Sequence, residues 1–151
     1  MPMRLPLSGR QQGFTLLEVL VAMLILALGL MGLGGLMASS LKNNQSSYQR
    51  SIATWLAYDI IDSMRANQAN FASYNLALTG SAPSGSSTAA LDLQNWRANL
   101  GNDLPAGTGS VAFAPTTGGG GTGMVTVTVQ WNDARGSGGS SAQQFQVVTQ
   151  L

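Results

Sequence analysis

The sequence predicts an α+β protein. One long N-terminal helix, membrane-spanning in its first half and amphipathic in its second, packs on a small C-terminal antiparallel sheet. Three observations predict it. Residues 19–41, VLVAMLILALGLMGLGGLMASSL, run for 23 residues without a charge. Residues 42–68, KNNQSSYQRSIATWLAYDIIDSMRANQ, contain no Gly or Pro and repeat apolar side chains every four positions. The tail alternates apolar and polar residues in short runs separated by glycine-rich turns.

The apolar run is long enough for a bilayer. At about 1.5 Å per residue a helix of this length covers roughly 35 Å, against about 30 Å of hydrocarbon. A core helix of a soluble domain keeps a polar face, and this segment has none. It is also rich in glycine, at Gly29, Gly32, Gly34 and Gly35. Each disfavours a helix interior by up to about 1 kcal/mol relative to Ala in water. Close packing through the pairs Gly34/Ala38 and Gly35/Ser39 offsets that cost, or the segment is a weak point that stretches.

The second half of the helix presents Ile52, Leu56, Ile60 and Met64 on one arc, with Tyr48, Ala53, Trp55 and Ala57 beside them. Arg50, Ser51, Thr54, Tyr58, Asp62 and Arg65 fall opposite. Asp59 lies inside the apolar arc, either as a solvated edge residue or as a buried partner of backbone amides. Residues 70–90 read as a Ser/Gly/Pro-rich connection. Residues 88–101 predict a short helix, with Thr88 as its cap, Asp92 in its first turn, Gly101 as its terminator, and Leu93, Trp96 and Leu100 sharing a face. Trp96 is read as core against the alternative of a ligand platform.

Three strands follow. Val111 and Phe113 mark the first; Val125, Val127, Val129 and Trp131 the second; Phe145, Val147 and Thr149 the third. The connections are GGGGTG at 118–123 and NDARGSGGSS at 132–141. The glycine run lacks the Gly-Lys-Ser/Thr ending and following helix of a phosphate-binding loop, so it reads as a hairpin turn.

Composition narrows the function. Of the 151 residues, 44% are hydrophobic and 9% charged, where a soluble domain carries about 25% charged. There is no Cys and no His, which removes disulfides, thiolate and Ser-His-Asp catalysis, and His or Cys metal sites. No catalytic residue, metal or cofactor is expected. The net charge of +1 gives no electrostatic footprint for nucleic acid, and none is expected as a partner.

The start of the chain has an unusual order. The basic stretch MPMRLPLSGRQQG, with Arg4 and Arg10, ends in Gly13, and the apolar run begins at once as FTLLEVLVAM. An ordinary secretory signal places its cleavage site after the apolar stretch. Positive charge before an apolar run favours keeping residues 1–13 in the cytoplasm. The run Gly13-Phe14-Thr15-Leu16-Leu17-Glu18-Val19 resembles the signal of type IV pilins and type II secretion pseudopilins. That resemblance implies a pilin-like fold, removal of leader residues 1–13 by prepilin peptidase at the Gly13–Phe14 bond, and N-methylation of Phe14. It also makes Glu18 a subunit-pairing carboxylate. Cutting before the apolar run leaves the helix in the product and creates a free amine at Phe14.

A carboxylate in an apolar helix costs about 2.5–3.5 kcal/mol at the bilayer centre and less near an end. Glu18 either sits at the interface or pairs with the Phe14 amine of a neighbouring subunit. Such a pair at about 4 Å, with an effective dielectric near 20, attracts by about 4 kcal/mol before desolvation.

Beyond the leader, GLMGLGGLMASSLKNNQSSYQRSIATWLAYDIIDSMRANQA, NWRANLGNDLP, VTVTVQWND and the terminal VVTQL resemble minor pilins of the PilV kind, which help prime pilus assembly. Many major pilins have a proline where Gly35 stands and a C-terminal cysteine pair; both are missing here. The expected organisation is a leader at 1–13, a membrane and filament-core helix at 14–41, an amphipathic continuation at 42–68 and a globular head at 69–151. The implied partners are prepilin peptidase, other minor and major pilins, an inner-membrane assembly platform and membrane lipid. The implied location is the bacterial inner membrane, single-pass with the C-terminal domain in the periplasm, and then the pilus. Two alternatives remain: a minor pseudopilin of type II secretion, which shares GFTLLEVLVA, and a pilus-associated adhesin or DNA-uptake pilin.

Overall fold

The computed structural model describes residues 13–116, 123–136 and 138–151. The chain forms two compact units, Met1–Ser39 and Ser40–Leu151. The leader charges Arg4 and Arg10, and most of the glycine-rich turn at 118–123, lie outside the described residues.

The expected α+β architecture is present. Helix α1, Leu16–Ala66, runs without a break through both the apolar and the amphipathic segments. It is followed by two short 3₁₀ turns at Gln68–Tyr74, which meet at Asn70, and by helix α2, Thr88–Asp103. Strands β1 (Thr108–Pro115), β2 (Gly123–Trp131) and β3 (Gln143–Gln150) form an antiparallel meander in the order β1-β2-β3.

In the first unit every large apolar side chain of α1 is exposed, from Val19 to Met37. The helix passes through Gly29, Gly32, Gly34 and Gly35, and a Cβ added at any of them meets nothing within 4 Å. Nothing in this chain's own packing therefore demands glycine there.

In the second unit α1 supplies Ala53, Leu56, Ala57, Ile60, Ile61 and Met64 to the core. The sheet supplies Val111, Val125, Val127, Val129 and Trp131 from one face, where the register sets Val111 opposite Val127 and Val127 opposite Val147. Period-two alternation puts these residues on a single face, and their burial from water is the main favourable term for this unit. Trp96 is 1% exposed, and its indole Nε1 donates to the Leu56 carbonyl at 2.8 Å. It is core, and it ties α2 to α1.

The amphipathic arc is narrower than the sequence predicts. Tyr48 and Trp55, expected beside the apolar face, are 65% and 59% exposed. They lie seven residues apart, about two turns, on the side away from Leu56 and Ile60. Asp59 is exposed, which resolves its two readings in favour of the solvated edge.

The ends of α2 also differ. Ser87, not Thr88, is its cap, accepting from the Ala90 backbone at 3.2 Å. The helix passes through Gly101 and stops at Asp103, with the Leu104 amide still bonding the Leu100 carbonyl. Asp92 serves less as a first-turn charge than as a partner: the Tyr74 hydroxyl donates to it at 2.5 Å. Tyr74 is fully buried, and burial first, then its hydrogen bond to Asp92, pushes its pKa above the usual 10.0.

The expected connection at 70–90 is thus partly packed structure. Leu76 bridges Val111 through paired backbone bonds, and Asn75 Oδ1 accepts from the Phe113 amide. Arg97 holds the following turn by donating to the carbonyls of Ala77, Leu78 and Gly80. The second connection is compact as well. Asp133 is 3% exposed, its Oδ2 accepts from the Ser46 hydroxyl of α1 at 2.5 Å, and its amide donates to the Ser140 carbonyl.

Candidate functional site

The residues singled out by the leader pattern stand at the head of α1. Residues 13–15 precede the helix, and all three are exposed. A Cβ at Gly13 meets nothing within 4 Å. The described residues impose no need for glycine at this place.

Thr15 opens the helix, a role the sequence reading missed. Its carbonyl accepts from the amides of Glu18 and Val19 at 3.1 and 3.3 Å, and its Oγ1 accepts from the Glu18 amide at 3.3 Å. These bonds satisfy amides that would otherwise have no intrahelical partner. Thr15-Leu16-Leu17-Glu18 has the S/T-x-x-E spacing of a capping box, and that spacing was visible in the sequence. A carboxylate in the first turn also meets the positive end of the helix dipole, worth about 0.3–1 kcal/mol.

Glu18, Ala22 and Leu26 recur every four residues, so they share one face of α1 with Val19 and Met23, and Phe14, just before the helix, lines the same surface. Phe14 is 84% exposed. The face is a shallow apolar surface interrupted by one carboxylate. Among the described residues the sole ion pair is Arg65–Asp62 at 2.9 Å, so Glu18 has no cationic partner among them. The structure brings Gly13, Phe14 and Glu18 together at one helix end.

The first helix is long and apolar enough to cross a membrane, and the relevant window is entirely unburied. Residues 8–34 match the family model described as the prokaryotic N-terminal methylation motif. The N-terminus is type IV prepilin-like. That motif supports the pilin-like superfamily, and with the long helix and three-stranded sheet the chain has a pilin-like architecture. The motif indicates a type IV pilin-like or pseudopilin-like chain of the kind that prepilin peptidase processes. Neither a curated protein nor a solved structure matches the chain.

Proposed function

We propose that this chain is a minor type IV pilin of the PilV kind. It is cut at Gly13–Phe14, methylated on Phe14, and helps to start assembly of the pilus. The observation that carries the reading is the head of α1. An apolar run begins directly after Gly13 and enters an exposed helix at Leu16, and Glu18, the first charge of that helix, has no cationic partner among the described residues. Such a helix is an anchor before assembly and a packing element afterwards. The minor rather than major role is supported by Gly35 in place of the proline of many major pilins, by the missing cysteine pair, and by the downstream segments that resemble PilV. On this reading the unit Ser40–Leu151 faces the periplasm.

A component that primes assembly acts in few copies. Deleting it should lower the number of pili per cell and leave their length unchanged, as counted by electron microscopy. Normal pilus numbers in the deletion strain would remove the priming role. Normal pili with lost protein secretion would transfer the chain to a type II secretion pseudopilus.

A further inference from the structure

Within the second unit, Lys42, Gln45 and Gln49 of α1 face the loop Pro105 and 132–136 across a cleft of about 250 Å³. Its lining is chemically divided. Asp133 and Gln49 are 3% and 6% exposed. Among the described residues Gln49 Oε1 has no hydrogen-bond partner, and the Asp133 carboxylate has a hydroxyl from Ser46 but no cation. A buried carboxylate without a countercharge and an unpaired buried acceptor are both costly. Both would be relieved by a ligand that brings a protonated amine. Lys42 and Arg135 are exposed, and neither is paired with a carboxylate among the described residues. They offer two positive charges to an anion.

The occupant that fits is therefore a small zwitterion with a primary ammonium at one end and an anionic group at the other. Position narrows the choice. Lys42 is the first charged residue after the uncharged run ending at Leu41, so in a membrane it lies at headgroup level. The cleft has room for about eight waters at ~30 Å³ each, enough for a phosphoethanolamine group.

We propose that this cleft binds the headgroup of an aminophospholipid, with the ammonium on Asp133 and Gln49 and the phosphate between Lys42 and Arg135. Asp133 and Gln49 then make phosphatidylethanolamine preferable to phosphatidylcholine, whose quaternary ammonium cannot donate a hydrogen bond, and to phosphatidylglycerol, which has no cation. The inference rests on the membrane-anchored reading and gives the expected lipid partner a site.

The test uses the full chain in detergent, mixed with equal amounts of the three lipids with identical acyl chains and examined by native mass spectrometry. Phosphatidylethanolamine should be retained about tenfold over the other two, and Asp133→Asn should abolish that preference, the loss of one charge-assisted contact. Arg135→Gln, at an exposed position with no ion-pair partner among the described residues, should lower retention severalfold without changing the melting temperature, so the test survives if Asp133→Asn fails to fold. Equal retention of the three lipids, or unchanged retention in Arg135→Gln, overturns the proposal. Retention of free phosphoethanolamine without the lipid overturns the lipid assignment. If alkaline carbonate releases the chain from membranes, the anchored reading itself fails. An anchored chain with no headgroup preference refutes this inference alone.

Discussion

Trp96 and Gly109 make a contact whose energetics can be worked out atom by atom. A Cβ placed on Gly109 would stand 2.5 Å from Trp96 Cη2, 2.9 Å from the Thr128 carbonyl oxygen and 3.0 Å from Leu100 Cδ1. Favourable contacts between carbons lie near 3.5–4.0 Å. Gly109→Ala therefore overpacks the space between α2 and the sheet and should cost about 1–3 kcal/mol. Trp96→Phe removes the hydrogen bond to the Leu56 carbonyl, worth about 1 kcal/mol, and leaves part of the indole volume empty at a similar further cost. Independent effects would sum to about 4 kcal/mol. They should not be independent, because phenylalanine has no atom where Cη2 stands, and the closest of the three clashes disappears. The double variant should be less destabilised than the sum by at least about 1 kcal/mol. The Thr128 carbonyl stays in place, so the rescue should be incomplete. Urea unfolding of a Ser40–Leu151 fragment, followed by circular dichroism, gives the four free energies. Additivity within about 0.5 kcal/mol would refute the contact as described.

Three further outcomes are expected. The fragment used above should be soluble and melt cooperatively, because it contains a core of its own built from residues such as Leu56, Ile60, Trp96, Val127 and Trp131; aggregation without a transition would count against it. Stability of that fragment should fall at high pH: Tyr74 has a raised folded pKa, so its contribution is complete below about 10 and is lost as the pH rises through the higher folded value. Tyr74→Phe should flatten that part of the profile, and an unchanged profile would separate the loss from Tyr74. Replacing Gly13 with a bulky residue should leave the full-length precursor in the membrane; intact Met1 in the wild type, seen by mass spectrometry with active prepilin peptidase present, would remove cleavage at that bond.

The fold was readable where one physical signal dominated. A 23-residue run without charge and strict alternation at Val125, Val127 and Val129 each admit few structures. The reading went astray where two placements differ by little. The sequence sets Trp55 beside the apolar arc, yet the core is already filled by Ala53, Leu56, Ala57 and Ile60. Ser87 and Thr88 are both competent caps, and only backbone geometry chooses between them. The packing of 70–80 and of Asp133 rests on contacts such as Tyr74–Asp92 and Ser46–Asp133, whose partners lie 18 and 87 residues apart. No local pattern announces such pairs. At the head of α1, Gly13, Phe14 and Glu18 were legible from the leader order, whereas Thr15 was overlooked although its capping-box spacing is local.

That overlooked threonine sharpens the test of Glu18. Glu18 has two candidate roles: it sits in the first turn above Thr15, where a carboxylate favours the helix, and it is the only charge on the exposed face with Phe14, Ala22 and Leu26. Cleavage would create an amine four residues before it. The helix is already closed from Thr15 onward, since the Glu18 and Val19 amides bond the Thr15 carbonyl. The terminus therefore cannot easily fold back to the carboxylate, and a partner amine would come from an adjacent subunit. Glutamine serves a capping box as well as glutamate does, so Glu18→Gln preserves the local role and removes the charge. What it loses between subunits is an attraction of about 4 kcal/mol at ~4 Å before desolvation. The variant should accumulate in the membrane at wild-type levels on an immunoblot, be cleaved normally, and give as few surface pili as the deletion. Glu18→Ala should add a loss of helix-start stability that Glu18→Gln does not show. If Glu18→Gln supports normal pilus numbers while deletion does not, the charge pair is wrong and the carboxylate serves the helix terminus, with the priming role left standing.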